Sequence, residues 1–162
     1  MSDLLFKAPL VYEPLRKNRF IFTFPSDTGL QSWYVSTAAL PSINQGIIEI
    51  PFLNTSTWVL GRYTWDEMSI SFRQFIGPST TQALMEWIRL CSESVTGRQG
   101  YAAGYKRNVT IQMLDPTGVA VQKWVLVNAF PGVSNFGSLG YDDDALAEAE
   151  VSFRYDYAVL VY

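Results

Sequence analysis

Histidine is absent from this chain of 162 residues, and cysteine occurs only once, as Cys91. Without histidine the chain lacks the usual general base at neutral pH and the commonest protein ligand for metal ions. A single cysteine forms no internal disulfide and builds no thiolate metal centre. These absences argue against an enzyme, and we predict no catalytic residue, no cofactor and no metal site.

Long apolar runs and a basic leader are also missing. No run approaches the roughly 20 apolar residues that cross a bilayer, so we expect no membrane insertion by this chain. The opening residues, MSDLLFKAPLVYEPL, do not place an apolar stretch after a basic one, so we expect no signal peptide. Basic residues number 12 against 15 acidic ones. This balance provides no broad basic surface for gripping nucleic-acid phosphates.

Apolar residues, by contrast, make up 48% of the chain and aromatic residues 15%, which is rich enough for a packed core. Most of them alternate with polar residues, and that is the period of β-strands. The length suits a single domain over residues 1–162. We therefore predict a mainly β fold of the α+β class.

Five stretches of the first half predict strands. They are residues 18–25, 32–37, 46–52, 57–62 and 67–76. The third and fourth form a long hairpin, residues 46–62, around a loop at 53–56. The fifth has one dry face and one wet face, with Met68, Ile70 and Phe72 on the first and Ser69, Ser71 and Arg73 on the second.

One helix is predicted over residues 79–93. Ser79 suits the N-cap, and Gly97 is a plausible stop. A single apolar stripe follows the helix and consists of Leu84, Trp87, Ile88 and Cys91. Because Cys91 lies on this stripe and no histidine can activate it, we interpret it as a small buried hydrophobe.

Strands return after a glycine-rich connector at residues 98–105. Residues 109–113 alternate, and Asp115-Pro116-Thr117-Gly118 is a strong turn signal into a strand at 119–128. A loop is expected from Phe130 to about Gly140, before the last strand at 148–157. That strand alternates apolar residues with Glu150, Ser152 and Arg154.

Four groups of residues invite a chemical interpretation. The carboxylates of Tyr141-Asp142-Asp143-Asp144 suit a hard cation, but the stretch lacks the glycine and distal glutamate of a calcium loop, so a solvated acidic loop is favoured. Asp66 and Glu67 are neighbours on a strand and point to opposite faces. Packing explains the tryptophans better than base or sugar stacking does. Lys106 and Arg107 favour a salt-bridging surface.

Several passages, in this order, resemble the tail tube proteins of contractile-tailed phages and the related tubes of tailocins and contractile injection systems. Those passages are Asn18-Arg19-Phe20, Ala38-Ala39-Leu40-Pro41, the stretches 48–52 and 59–70, Ala129-Phe130-Pro131 ahead of Tyr141-Asp142, and Tyr155-Asp156-Tyr157. The stretch 59–70 departs by reading Leu-Gly-Arg-Tyr where the family more often has Gly-Asp-Arg-Thr. The resemblance covers nearly the whole chain, and it is the ordered set of passages that carries it.

This resemblance implies two packed antiparallel sheets, a β-sandwich or barrel with one flanking helix. Six copies would join their sheets into a large barrel, and the hexameric rings would stack into a hollow tube. The implied role is the inner tube of a contractile phage tail, a virion protein assembled in the host cytoplasm that conducts DNA without binding it specifically. The implied partners are further copies of the chain, the tail sheath protein, the baseplate or tube initiator, and the tape measure protein.

The resemblance leaves two alternatives open: a baseplate tube initiator, or the tube of a tailocin or extracellular injection system. A small-ligand β-barrel is a rival of another class. We expect the hairpin to stack rings through Phe52, Leu53, Asn54, Thr55, Ser56, Thr57 and Trp58. The polar faces of two strands are expected to line the lumen, through Ser69, Ser71, Arg73, Glu150, Ser152 and Arg154. An N-terminal arm, residues 1–17, is expected to become ordered on assembly.

Overall fold

The structure is a computed structural model, and it describes residues 12–162. Most of the predicted arm lies outside these residues, so the arm stays a prediction. The elements are β1 (Phe20–Thr23), β2 (Val35–Ala38), β3 (Ile43–Phe52), β4 (Thr55–Trp65), β5 (Met68–Arg73), α1 (Thr80–Cys91), α2 (Ala102–Tyr105), β6 (Arg107–Leu114), β7 (Ala120–Asn135), β8 (Glu148–Arg154) and β9 (Tyr157–Leu160).

Two antiparallel sheets share the long strand β7. Its first half pairs with β6 and β9, and β6 pairs in turn with β1, which makes sheet A. Its second half pairs with β8, followed by β5 and β2, which makes sheet B. A strand that changes sheets at an irregular step forms a corner of a sandwich. This arrangement confirms the predicted fold of two packed antiparallel sheets with one main helix.

Alternating residues of both sheets fill the space between them. Phe24 follows β1, and its ring centroid lies 5.7 Å from that of Phe72 on β5 and 6.4 Å from that of Phe153 on β8. The predicted dry face of β5, with Met68, Ile70 and Phe72, is buried in this core. The period of two in the sequence therefore identified the core face of this strand correctly.

Helix α1 covers one side of the sandwich. Ser79 caps it by accepting a hydrogen bond from the backbone N–H of Gln82 at 3.3 Å, as predicted. The Trp87 ring packs 5.3 Å from Phe153, and its indole N–H donates to the Tyr105 carbonyl oxygen at 2.8 Å. Burying a large aromatic ring while satisfying its polar atom fixes the helix on the core.

The prediction that α1 stops at Gly97 was wrong. The helix ends at Cys91, because Ser92 has an extended backbone and forms an antiparallel bridge with Gln99. Gly97 instead occupies the turn between these two residues, with a φ of 69° that glycine adopts freely. Its N–H donates to the Glu93 carbonyl oxygen.

The predicted loop beginning at Phe130 was also wrong. Strand β7 continues through Pro131, which lies opposite Phe153, and ends only at Asn135. This half of β7 pairs with β8 on one side, so a proline is tolerated where its missing N–H faces the open edge. The register shifts between Pro131 and Ser134, and this irregularity marks the bend between the sheets.

The predicted last strand at 148–157 is two strands, β8 and β9. The chain breaks at Asp156, whose backbone N–H donates to the Val127 carbonyl oxygen. Its carboxylate accepts from Asn128 Nδ2 at 2.7 Å and from Lys106 Nζ at 3.2 Å. These bonds direct the chain from sheet B back to sheet A, so Tyr157 is exposed although it continues the apolar alternation.

The predicted strand at 32–37 begins only at Val35, because residues 32–34 form a 3-10 turn ahead of β2. Other short features follow the sequence closely. The Asp115 carboxylate closes the turn between β6 and β7 by accepting from the N–H groups of Thr117 and Val119. Lys106 and Arg107 form the predicted ion pairs, with Asp156 and Asp27. Within residues 12–162 no helix has the length and apolar character of a membrane span.

Candidate assembly surfaces

The hairpin of β3 and β4 forms a sheet of its own. It runs from Ile43 to Trp65, longer than the predicted 46–62, and pairs with no other strand of the described chain. Every residue of it except Gly46, Gly61 and Trp65 is exposed. A two-stranded hairpin by itself is marginally stable in water, so this one needs a surface to pack against.

Apolar side chains occupy both faces of the hairpin. Register places Ile48, Ile50, Phe52 and Val59 on one face, with Ile47, Trp58 and Leu60 on the other. Phe52 is 71% exposed and Trp58 is 62% exposed. Clustered apolar exposure of this kind is a feature of interaction surfaces rather than of solvated strands.

The tip of the hairpin is tighter than predicted. The turn contains only Leu53 and Asn54, and Thr55 to Trp58 belong to β4 rather than to a loop. Leu53 takes a left-handed backbone, with φ at 51°, as the two-residue turn requires. The Thr55 hydroxyl donates to the Phe52 carbonyl oxygen at 3.0 Å and closes the turn. All seven predicted stacking residues therefore lie at the exposed end of the hairpin.

Ser42 and Asp66 close the base of the hairpin, and Trp65 packs that base on the sandwich. The Ser42 hydroxyl donates to Asp66 Oδ2 at 2.9 Å, and the Asp66 N–H donates to the Ser42 carbonyl oxygen at 3.0 Å. The Trp65 ring lies 6.2 Å from Tyr155 at the end of β8. Burial raises the pKa of the Tyr155 hydroxyl, which keeps it neutral beside Asp66. These contacts set the direction in which the hairpin projects.

The six predicted lumen residues share the outer face of sheet B. Ser69 lies opposite Ser152 across β5 and β8, and Ser71 lies opposite Glu150. The Ser69 hydroxyl donates to Glu150 Oε1 at 2.7 Å, which links the two strands on this face. Arg73 and Arg154 mark its two ends. Whether the face lines a channel stays a prediction.

A further charge, which was not among the six predicted residues, lies on this face. Glu148 lies directly opposite Arg73 and begins β8. With Glu150 and Arg154 it gives the two strands two carboxylates and two guanidinium groups. The sequence shows only that residue 148 is two positions from Glu150, so it could share the same face. The pairing register shows in addition that Glu148 lies across from Arg73. The outer face of β5 and β8 thus has no net charge.

Within residues 12–162, both edges of sheet B are open. Strand β2 pairs with β5 on one side, and the second half of β7 pairs with β8 on one side. Unpaired N–H and C=O groups on such edges accept another strand readily. Because the two edges lie at opposite sides of one sheet, a head-to-tail contact between copies can join them.

Other predicted sites have ordinary structural roles. Tyr141 and the three aspartates that follow it are exposed, and no group of three metal-ligating side chains occurs within the part of the chain that is described. Cys91 is half-buried against the core, and burial raises the pKa of its thiol. A raised pKa disfavours the nucleophilic thiolate.

Solved structures with the same fold include parts of the anti-feeding prophage and of an extracellular contractile injection system. The anti-feeding prophage tube-terminating cap aligns with a TM-score of 0.74 at 19% identity, covering 95% of each chain. The six-fold symmetrised anti-feeding prophage baseplate aligns at 0.70 with 14% identity, covering 93% of this chain and 97% of the other. The sheath/tube terminator of the extracellular contractile injection system PVC, in its extended state, aligns at 0.72 with 19% identity, covering 94% and 99%.

No family model matches the chain, and no curated protein matches it at a significant level. The similarity is therefore one of fold, over nearly the full length of both partners. The chain has the tube-type fold of contractile injection systems.

Proposed function

We propose that this chain is a structural subunit of the tube of a contractile injection system. Copies form closed hexameric rings, and the rings stack into a hollow tube. The observation that carries the proposal is the hairpin, which projects from a complete sandwich and exposes apolar side chains on both faces. The tube-type fold supports it independently.

A second copy of the chain is the natural cover for the hairpin. Within residues 12–162, the fully buried core of the sandwich contains no residue of β3 or β4, and of these two strands only Trp65, at the base, packs against that core. The projecting part of the hairpin, from Ile43 to Thr64, therefore adds nothing to the buried core of the single chain. The apolar character of its side chains is explained when an adjacent ring covers them.

Ring closure follows from the open edges of sheet B. A heterologous contact repeated around an axis closes into a ring. Six copies of this four-stranded sheet give a barrel of about 24 strands, above the 16–18 that already leave an aqueous channel. The outer face of β5 and β8 would then line the channel. The six-fold symmetry of one structural neighbour supports this copy number.

The lumen so formed carries no net charge from β5 and β8. Arg73 and Arg154 offset Glu148 and Glu150. A balanced surface exerts little long-range attraction on a polyanion, so a charged cargo moves along it without being held. Cargo passage without specific binding is thus part of the proposal, with DNA as the cargo if the tube belongs to a phage tail.

Two related roles remain as alternatives within the same fold. One is the tube of a contractile phage tail, a virion conduit for DNA, and the other is a baseplate tube initiator. The similarity to a baseplate chain as well as to tube-terminating chains supports keeping both. Sheath protein, baseplate and tape measure are the proposed partners. Neighbouring genes would distinguish a phage tail from an injection system. A capsid gene indicates a phage, and its absence favours an injection particle.

Electron microscopy of the purified chain over a concentration series tests the proposal. Hollow six-fold rings or tubes are expected for the unaltered chain. In a matched variant, Asn-Gly replaces residues 50–57 and shortens the hairpin. It should keep the circular dichroism spectrum of the sandwich and form no tubes. Tubes of normal length from the variant, or an unaltered chain that is monomeric at every concentration, would contradict the proposal.

A further inference from the structure

A long groove separates the free edges of the two sheets. It has a volume of about 840 Å³ and lies between β1 and β2. Ile21 and Trp33 give it apolar walls, and Trp33 is 55% exposed. Lys17 and Arg73 also line it. The groove thus combines an exposed aromatic ring with two cations.

The loop between β7 and β8 has the opposite character. It carries Asp142, Asp143 and Asp144 in succession. Leu139 and Tyr141, beside these carboxylates, are 98% and 113% exposed, so neither packs against its own chain. The ion pairs within residues 12–162 are Lys106–Asp156 and Arg107–Asp27, so neither these acids nor the groove cations are paired there.

The groove and the acidic loop lie at the same end of sheet B, with the groove beside the edge strand β2 and the loop joining the other edge strand, β7, to β8. Arg73 ends β5 opposite Glu148 at the start of β8, and Trp33 packs 4.6 Å from Phe75 just beyond. At this same end the Gln74 N–H donates to the Ala147 carbonyl oxygen at the close of the loop. The two edges are three strand spacings apart, about 14 Å.

Rotation about a ring axis moves a surface around the axis and not along it. In a head-to-tail ring, one edge of each subunit meets the opposite edge of the next, so features at the same height along the axis meet. Features at the same end of the sheet are then offset from each other only by the tilt of the strands. The acidic loop of one copy then faces the groove of its neighbour. The carboxylates of the loop then lie near the cations of the groove, and the exposed apolar side chains of the loop lie near the apolar walls of the groove. This complementarity favours the contact.

We propose that the loop at residues 137–147 docks into the groove between β1 and β2 of the neighbouring copy and closes the ring. This inference rests on the proposed tube function and assigns its lateral interface. Tyr141 and Leu139 pack near Trp33, while Asp142 and Asp143 approach Lys17 and Arg73. The hairpin serves the separate contact between rings.

Charge reversal on each side tests the pairing. The loop-reversed variant carries Asp142→Lys and Asp143→Lys, and the groove-reversed variant carries Lys17→Glu and Arg73→Glu. Each alone places like charges across the contact, and we expect ring formation to fall at least about tenfold. A control with the same change in net charge as the groove-reversed variant, Arg89→Glu with Arg98→Glu, alters exposed residues outside the groove and should form rings normally.

An equimolar mixture of the two reversed variants is the decisive experiment. Every heterotypic contact in it is again between opposite charges, so alternating rings of six should form and contain both variants in equal amounts. Electron microscopy, native mass spectrometry and sedimentation velocity measure the rings, and circular dichroism confirms that each variant is folded. Rings from either variant alone, or no rings from the mixture of folded variants, overturn the inference. An unaltered chain that forms no rings overturns the tube function as well.

Discussion

Gly46 and Arg62 face each other across a bulge in the hairpin, and a Cβ on residue 46 would lie 2.5 Å from the Arg62 carbonyl oxygen. The register of β3 and β4 shifts here, so that two residues of β4 oppose one of β3. Only glycine permits this approach of the two backbones. The bulge therefore sets how the outer part of the hairpin is turned relative to its base.

Gly46→Ala should prevent ring stacking while leaving the sandwich folded. The new methyl group forces the backbones of the hairpin apart, and the apolar faces beyond the bulge are no longer aimed at their partner. Tube length by electron microscopy and the thermal midpoint of unfolding measure the two effects. Gly104→Ala is the control, since no atom lies within 4 Å of its added Cβ. Normal tubes from Gly46→Ala would show that the bulge is dispensable.

Leu84→Ala should lower the free energy of unfolding by about 2–5 kcal/mol, because it leaves a cavity under α1 where Leu84 is fully buried. Leu90→Ala on the same helix is the control. Leu90 is half exposed, and its truncation should cost less than about 1 kcal/mol. Denaturant unfolding of the hairpin-shortened variant measures both without interference from assembly. If the two substitutions lowered the free energy of unfolding equally, the assignment of Leu84 to the buried face of the helix would be contradicted.

Acid should weaken the junction of β8 and β9 through Asp156. The Asn128 amide, and then Lys106, hold the pKa of this carboxyl below its ordinary value of 3.8. A depressed pKa in the folded state means that the stabilisation is complete above the ordinary value and is lost as the pH falls through the folded value. Asp156→Asn should be less stable near neutral pH and lose this part of the acid dependence. An unchanged slope of stability against pH below about pH 4 would contradict the assignment.

Cysteine labelling can locate the lumen face. In a Cys91→Ala background, a cysteine placed by Ser152→Cys should react with a small maleimide in monomers and in tubes. A maleimide on a polymer too wide for the channel should label it in monomers only. Thr117→Cys, in the exposed turn between β6 and β7, is the comparison site on the opposite sheet. Equal polymer labelling of Ser152→Cys in both forms would exclude a channel position.

Local patterns predicted those elements whose residues alternate or cap without help from the rest of the chain. The dry face of β5 follows from Met68, Ile70 and Phe72, and the start of α1 follows from Ser79. The turn at Asp115 is closed by its own carboxylate. In each case the residues that decide the structure lie within a few positions of one another, which is why a sequence pattern contains the answer.

The predicted strand boundaries were wrong where residues distant in the chain decide the local structure. Pro131 is a poor strand residue, yet β8 pairs with it from more than 20 positions away. Asp156 breaks the last strand through Asn128 on β7 and Lys106 just ahead of β6, which are both distant in the chain. For the candidate surfaces, the sequence supplied the hairpin tip and the six polar residues of sheet B. Glu148 and the groove needed the fold, because strand register and sheet edges bring them together.

The sequence by itself determined the fold class, the buried faces, the one capped helix and the absence of histidine chemistry, because each depends on composition or on periods of two and 3.6 residues. Tertiary structure alone decided how β7 joins the two sheets, that residues 12–162 leave both faces of the hairpin uncovered, and that the β1–β2 groove and the acidic loop share one end of a sheet. These properties arise from pairing between residues far apart in the chain. Nothing in local periodicity specifies which strand will be the neighbour of another.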